Sequence, residues 1–122
     1  MNDKRKTIGS KGETIARDYL VKKAYKIIQM NYRNHFGEID IIAKDKDTYI
    51  FVEVKTRKNL SFGRPIEAIN YKKQSHLIKT AYAYLAAKNL SSSNFRFDAI
   101  EVLLHEDAKP SINHIENIIE LK

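Results

Sequence analysis

The sequence predicts an α/β layered domain, a mixed sheet with helices packed on it, in one domain spanning residues 1–122. Three observations lead there. Glu38–Ala43 and Tyr49–Lys55 alternate apolar and ionisable residues with period two around a polar turn, as hairpin strands do. Residues of about 8–24 and 71–88 carry apolar stripes at helical spacing. The second of these helices separates the third strand from the fourth, which demands a right-handed crossover and sets those strands parallel.

In chain order, the first helix (about 8–24) has a stripe of Ile15, Ala16, Tyr19, Leu20 and Ala24. Lys26 to Tyr32 reads as the first strand, and Asn34-His35-Phe36-Gly37 turns the chain into the hairpin. Pro65 and the loop before it close the hairpin off. The second helix runs from about Tyr71 to Lys88, with Asn70 as N-cap and Leu77, Ile78, Ala81, Tyr84 and Leu85 on its apolar face. Phe95 to Leu104 forms a fourth strand, and a shorter fifth lies near Ile112 to Ile119.

Composition narrows the function classes. Apolar residues make up 43% of the 122, enough for one packed core and too many for disorder. No apolar run approaches the roughly 18 residues of a membrane span, and the basic N-terminus lacks a signal-peptide core, so no membrane partner is expected. Cysteine is absent, which excludes disulfide staples, thiolate zinc sites and thiol nucleophiles and, with the rest, points to the cytoplasm. A net charge of +7, from 22 basic against 15 acidic residues, favours polyanionic partners through long-range attraction and counterion release. The histidines (His35, His76, His105, His114) show neither zinc spacing nor triad logic, and no Gly-rich phosphate loop appears. Kinase, NTPase and dehydrogenase readings therefore fail.

The hairpin carries the chemistry. With Lys46-Asp47 at the centre of the turn, Asp40 faces Glu53, Glu38 faces Lys55 and Ile42 faces Phe51. Opposed residues have Cβ atoms about 4.5–5.5 Å apart, where two carboxylates repel unless one is protonated or a cation lies between them. A hard divalent ion such as Mg²⁺ takes oxygen ligands and uses one or two carboxylates plus water and phosphate. The Val54 carbonyl, next to Glu53, is a further oxygen. Lys55 returns to the face of Glu53, where its ammonium can orient a water or stabilise charge on a phosphate, and its neutral amine can take the water's proton. Against a merely solvated face stand Tyr49, Phe51 and Ile42, whose presence there argues for a covering helix.

Glu13 points along the stripe of the first helix and either supplies a third acid or closes a capping box with Ser10; the pattern leaves both open. Gln74 either faces inward, where its amide can hold a water or phosphate oxygen, or is a half-exposed polar residue. Lys55, Arg57, Lys58, Arg64, Lys72, Lys73 and Lys79, interleaved with Phe62 and Tyr71, suit a groove that tracks a nucleic-acid backbone with stacking contacts.

Gly37-Glu38-Ile39-Asp40-Ile41-Ile42-Ala43 followed by Phe51-Val52-Glu53-Val54-Lys55-Thr56-Arg57 resembles the PD-(D/E)XK nuclease superfamily, and more narrowly the YraN-like family of small bacterial endonuclease-like proteins. The likeness extends to Gly12-Glu13, Gly63-Arg64-Pro65 through Ala68, Lys73-Gln74 and Arg96-Phe97-Asp98. Ile39 stands where the superfamily name has proline, a substitution that leaves the chemistry untouched. The resemblance implies a restriction-endonuclease-like fold, an αβββαβ core, with Asp40 and Glu53 as metal ligands and Lys55 as the catalytic lysine. It also moves Glu13 and Gln74 into the site.

The expectation is thus a Mg²⁺- or Mn²⁺-dependent nuclease acting on DNA, at branched or otherwise irregular structures. Asp40, Glu53, the Val54 carbonyl and Glu13 would hold the ion; Lys55 and Gln74 would serve the attacking water and the phosphate; Arg57, Lys58, Arg64 and Lys73 would hold the backbone. Junction-cutting relatives pair up, so a homodimer belongs to this expectation. The rivals are a nucleic-acid-binding module that keeps the fold without cutting, and a small protein whose basic surface meets an acidic partner.

Overall fold

A computed structural model describes residues 4–58 and 70–121. The order is α1 (Lys4–Lys22), β1 (Lys26–Asn34), β2 (Gly37–Asp45), β3 (Thr48–Arg57), α2 (Tyr71–Ala87), β4 (Asn94–Leu103) and β5 (Ser111–Ile115). The strands form one five-stranded sheet in the order β1-β2-β3-β4-β5. β3 and β4 are parallel, as the helical crossover requires, and the other neighbours are antiparallel. No helix among the described residues is long and apolar enough to cross a membrane.

Among the described residues, one helix covers each face of the sheet. Ala16 and Leu20 of α1 pack with Ile41, Ala43, Ile50, Val52, Ile100 and Val102. Leu77, Ala81, Tyr84 and Leu85 of α2 pack with Ile42, Phe51 and Phe97 on the other face, and Tyr84 meets Phe51 edge-on, with ring centroids 6.0 Å apart. Each leucine, isoleucine, valine or phenylalanine among them contributes about 1.5–3 kcal/mol by leaving water, so the two stripes fix which way each helix faces.

The ends of the elements have local causes. The Asn70 side chain accepts the Lys73 N–H and caps α2. α1 stops because Ala24 takes a left-handed conformation (φ 69°) while the Tyr25 N–H returns to the Leu20 carbonyl. Ala24 is therefore an exposed terminator and not part of the helical stripe. The fifth strand ends at Ile115, short of the expected Ile119, yet Ile119 still buries its side chain under α2: the mixed periodicity there marks a strand followed by packed coil.

Candidate active site

The β2–β3 turn fixes the register as expected, with Asp45 opposite Thr48, Ile42 opposite Phe51 and Ile41 opposite Val52. There the β2–β3 ladder stops, while β1–β2 pairing continues to Asn34–Gly37 and β3–β4 pairing to Arg57–Leu103. The sheet forks between its second and third strands. At the root of the fork the Asp40 Oδ2 accepts the Val54 N–H at 2.7 Å, a carboxylate standing where a ladder carbonyl would otherwise be.

The strict period-two pattern also breaks at this point. Ile41 belongs to the α1-side core, but Ile39 packs on the α2 side with Ile42, and Asn31 on the neighbouring strand is left-handed (φ 52°). The twist leaves Asp40 between the two helices, so that it feels Glu13 of α1 and Lys73 of α2 as well as Glu53. Burial first, then the Glu53 charge, push the Asp40 carboxyl up to about 7, against the Val54 hydrogen bond.

Glu53 is nearly enclosed, its side chain 7% exposed, and two ammonium groups meet its Oε1: Lys73 Nζ at 3.1 Å and Lys55 Nζ at 3.6 Å. Lys73 was expected to serve only the backbone of a bound strand; instead the first turn of α2 brings it onto the acid. The expected facing of Glu38 and Lys55 gives no ion pair, since Glu38 pairs with Arg33 of β1 at 2.8 Å and Lys55 turns to Glu53.

Glu13 is not part of a capping box, because α1 begins at Lys4 and puts Ser10 inside the helix, its carbonyl bonded by the Thr14 hydroxyl. Glu13 is half-buried, hydrogen-bonded to Asn31, and raised in pKa by burial, with further contributions from Glu38 and Glu53. Gly12 brings it there: a Cβ at that position would run into the Thr56 side chain of β3. Gln74 is half-buried in the first turns of α2, directly after Lys73. Arg57 ends β3 with its Nε buried and lacking an acceptor among the described residues, and Lys58 is exposed just beyond. Arg64, with Phe62, Pro65 and the Gly63–Ala68 part of the resemblance, lies outside the described residues.

A second polar cluster, absent from the sequence reading as a unit, lies on the α1 side of β4 and β5. Asp98 is fully buried; it accepts from Arg96 (Nε, 3.0 Å), the Asn117 N–H (3.0 Å) and His114 Nε2 (2.8 Å). Although burial opposes ionisation, those bonds hold the Asp98 carboxyl below its usual range. Arg96 also reaches Glu116 at 3.0 Å and the Tyr25 hydroxyl at 2.8 Å, and Tyr19 meets His114 Nδ1. Asp98, His114 and Glu116 are the one group of three among the described residues whose ligand atoms lie within 4.8 Å of one another, a spacing that can hold a metal ion. The guanidinium of Arg96 already bridges Asp98 and Glu116, so this cluster carries its cation in its own side chains. Asp98 and His114 are sixteen residues apart, and only the β4–β5 pairing brings them together.

The architecture, a five-stranded mixed sheet with a parallel central crossover and a helix on each face, is of the restriction-endonuclease-like α/β class. Residues 12–102 match the family described as Uncharacterised protein family UPF0102. Similar proteins include UPF0102 proteins of Alkaliphilus oremlandii (50% identity, covering 92% of this chain and 97% of that one) and Clostridioides difficile (49%, covering 96% and 98%). A third, from Clostridium acetobutylicum, is 44% identical and covers 99% of this chain and all of its own. The chain belongs to the UPF0102 family, the YraN family of the resemblance above.

Proposed function

We propose that the protein is a divalent-metal-dependent nuclease that hydrolyses phosphodiester bonds in DNA. The observation that carries this reading is the forked sheet: two carboxylates on diverging strands, Glu53 buried and Asp40 half-buried, with Glu13 on one side and two lysines on the other. The donors, all hard oxygens, fit Mg²⁺ or Mn²⁺. Retaining an Asp40 carboxyl whose pKa is lifted to about 7 is costly to the fold and useful to a cation site.

In this reading Asp40, Glu53 and the Val54 carbonyl would hold the ion, with Glu13 beside them through water. Such an ion, when bound, activates a water and polarises a phosphoryl oxygen. Lys55 orients the attacking water and stabilises the charge that builds on the phosphate. Lys73 restrains the Glu53 carboxylate and lies close enough to meet a phosphate, with Gln74 beside it on α2. Arg57, Lys58 and Arg64 track the backbone, and a phosphate arriving at the end of β3 offers the Arg57 Nε an acceptor.

Linear, flapped and four-way DNA incubated with Mg²⁺ or Mn²⁺ tests the proposal. Wild type should cleave at least one of these only when metal is present. Asp40→Asn and Glu53→Gln should each lose about 10³-fold in rate, the several kcal/mol that a bound cation supplies to the transition state. Cleavage by Asp40→Asn at the wild-type rate would overturn the assignment. A non-cutting binding module draws support from the two lysines that neutralise Glu53; calorimetry with Mn²⁺ decides between the two, since a module of that kind binds no ion at this fork.

A further inference from the structure

The tip of the β1–β2 hairpin stands at the forked end of the sheet and has no role in the scheme above. Asn34 pairs with Gly37, so His35 and Phe36 form a two-residue turn. Gly37 has φ +155°, and a Cβ there would press against the Thr80 hydroxyl and His76 of α2, so the tip lies directly against that helix. Asn34 locks it: its Oδ1 accepts the Phe36 N–H at 3.0 Å, while its Nδ2 donates to the Thr80 carbonyl and the Tyr32 hydroxyl. On this fixed turn the His35 and Phe36 rings lie 4.1 Å apart at 34°, both exposed. They border a cleft of about 380 Å³ shared with Arg33, Glu38 and His76. The Arg33 guanidinium is itself held by two hydrogen bonds to Glu38.

A solvent-facing aromatic pair on a fixed turn, beside a guanidinium paired with Glu38, presents planar faces, and the partner with a matching flat face is a nucleobase. A fully paired duplex hides its base faces in the stack. From Gly37 to Asp40 is three residues of strand, about 10 Å, or about three nucleotides of duplex rise. We infer that His35 and Phe36 form a stacking platform for an unpaired nucleobase, which directs the proposed nuclease to strands with an unpaired base near the scissile phosphate. The inference rests on the nuclease reading and names its substrate class: flaps, forks and single-stranded gaps rather than intact duplex.

The test uses Asp40→Asn protein, which leaves DNA intact, and duplexes with and without a single-stranded flap carrying 2-aminopurine one to five nucleotides from the branch. Binding should quench the flap fluorophore severalfold. Phe36→Ala, added to that background, should abolish the quench and weaken flap binding about tenfold, leaving duplex affinity unchanged. Phe36→Trp should restore both, which separates stacking from a folding defect. Equal flap affinity and equal quench with Phe36→Ala, in a protein whose wild type still cuts DNA through Asp40, would sink the platform and leave the nuclease reading standing. Absence of any nucleic-acid binding or Asp40-dependent cleavage would sink both, and association of Phe36 with a protein surface instead would overturn the platform alone.

Discussion

Asp40 on β2 and Asp98 on β4 sit on the same sheet, and the fold treats them in opposite ways. Asp98 is enclosed by donors from Arg96, His114 and the Asn117 backbone, and its charge is matched by a guanidinium within hydrogen-bond distance. Asp40 has the Val54 N–H and, around it, two further acids, so its carboxyl is lifted to about 7. A satisfied buried acid ties strands together; an acid kept beside its own kind stores unfavourable energy that a cation or a proton relieves. The difference separates a structural node from a candidate reactive centre without reference to any other protein.

Removing the charge at each site tests the difference most directly. Asp98→Asn removes the buried half of the Arg96 pairing, leaving Glu116 as its acidic partner, and should cost about 3 kcal/mol in chemical denaturation. The carboxyl is lowered in the folded chain, so its contribution is present above the unfolded value near 3.8 and lost as pH falls through the folded value. The gap between wild type and variant should therefore close in strong acid. A neutral Asp98→Asn would show that the node is not structural.

Asp40→Asn should act in the other direction. Because the folded pKa is raised, the native state binds the proton more tightly than the unfolded chain between 3.8 and about 7, and stability falls as pH rises through that window. At pH 8 with chelator the substitution should stabilise the fold. The ceiling is about 4 kcal/mol, and solvent screening of a half-buried group lowers the expected gain to about 1–3 kcal/mol. The gain should vanish near pH 4. Adding Mn²⁺ should raise the melting temperature of wild type and not of the variant; equal rises would place the ion elsewhere, with the Asp98 cluster the next place to look.

Gly12→Ala gives the smallest effect and sharpens the contrast. The added methyl drives the N-terminal half of α1 off Thr56, while alanine is the better helix former, so the net loss should be about 1 kcal/mol. Mn²⁺ affinity should fall because Glu13 moves, whereas the Asp98 cluster, which meets α1 at Tyr19 near its other end, should be undisturbed. Unchanged Mn²⁺ affinity would remove Glu13 from the site.

The hairpin shows how much was legible along the chain. Residues 46 and 47, flanked by two alternating runs, sufficed to fix the strand register down to Ile41–Val52, because a one-residue slip would turn every apolar side chain to the wrong face. The apolar faces of α2 and most of α1, and the Asn70 cap, follow from equally local rules. The fork was not legible. Alternation extrapolated past Ile41 puts Glu38 opposite Lys55, whereas the twist at Asp40 sends Glu38 to Arg33 and Lys55 to Glu53. Lys73 could have been flagged, since a crossover helix that caps at Asn70 must start over the end of β3 that carries Glu53. The union of Asp98 with His114 had no comparable signal.

By itself, then, the sequence determined which stretches become strands and helices, which of their faces turn inward, and that acids and a lysine alternate in the central hairpin; these are matters of period and propensity, set within a few residues. Tertiary structure alone decided that β2 parts from β3 at Asp40, that α2 lays Lys73 on Glu53, and that Arg96, Asp98 and His114 close into one node. The reason is physical: where a charge settles depends on the dielectric and the partners that distant segments bring to it, and neither is written in its neighbours along the chain.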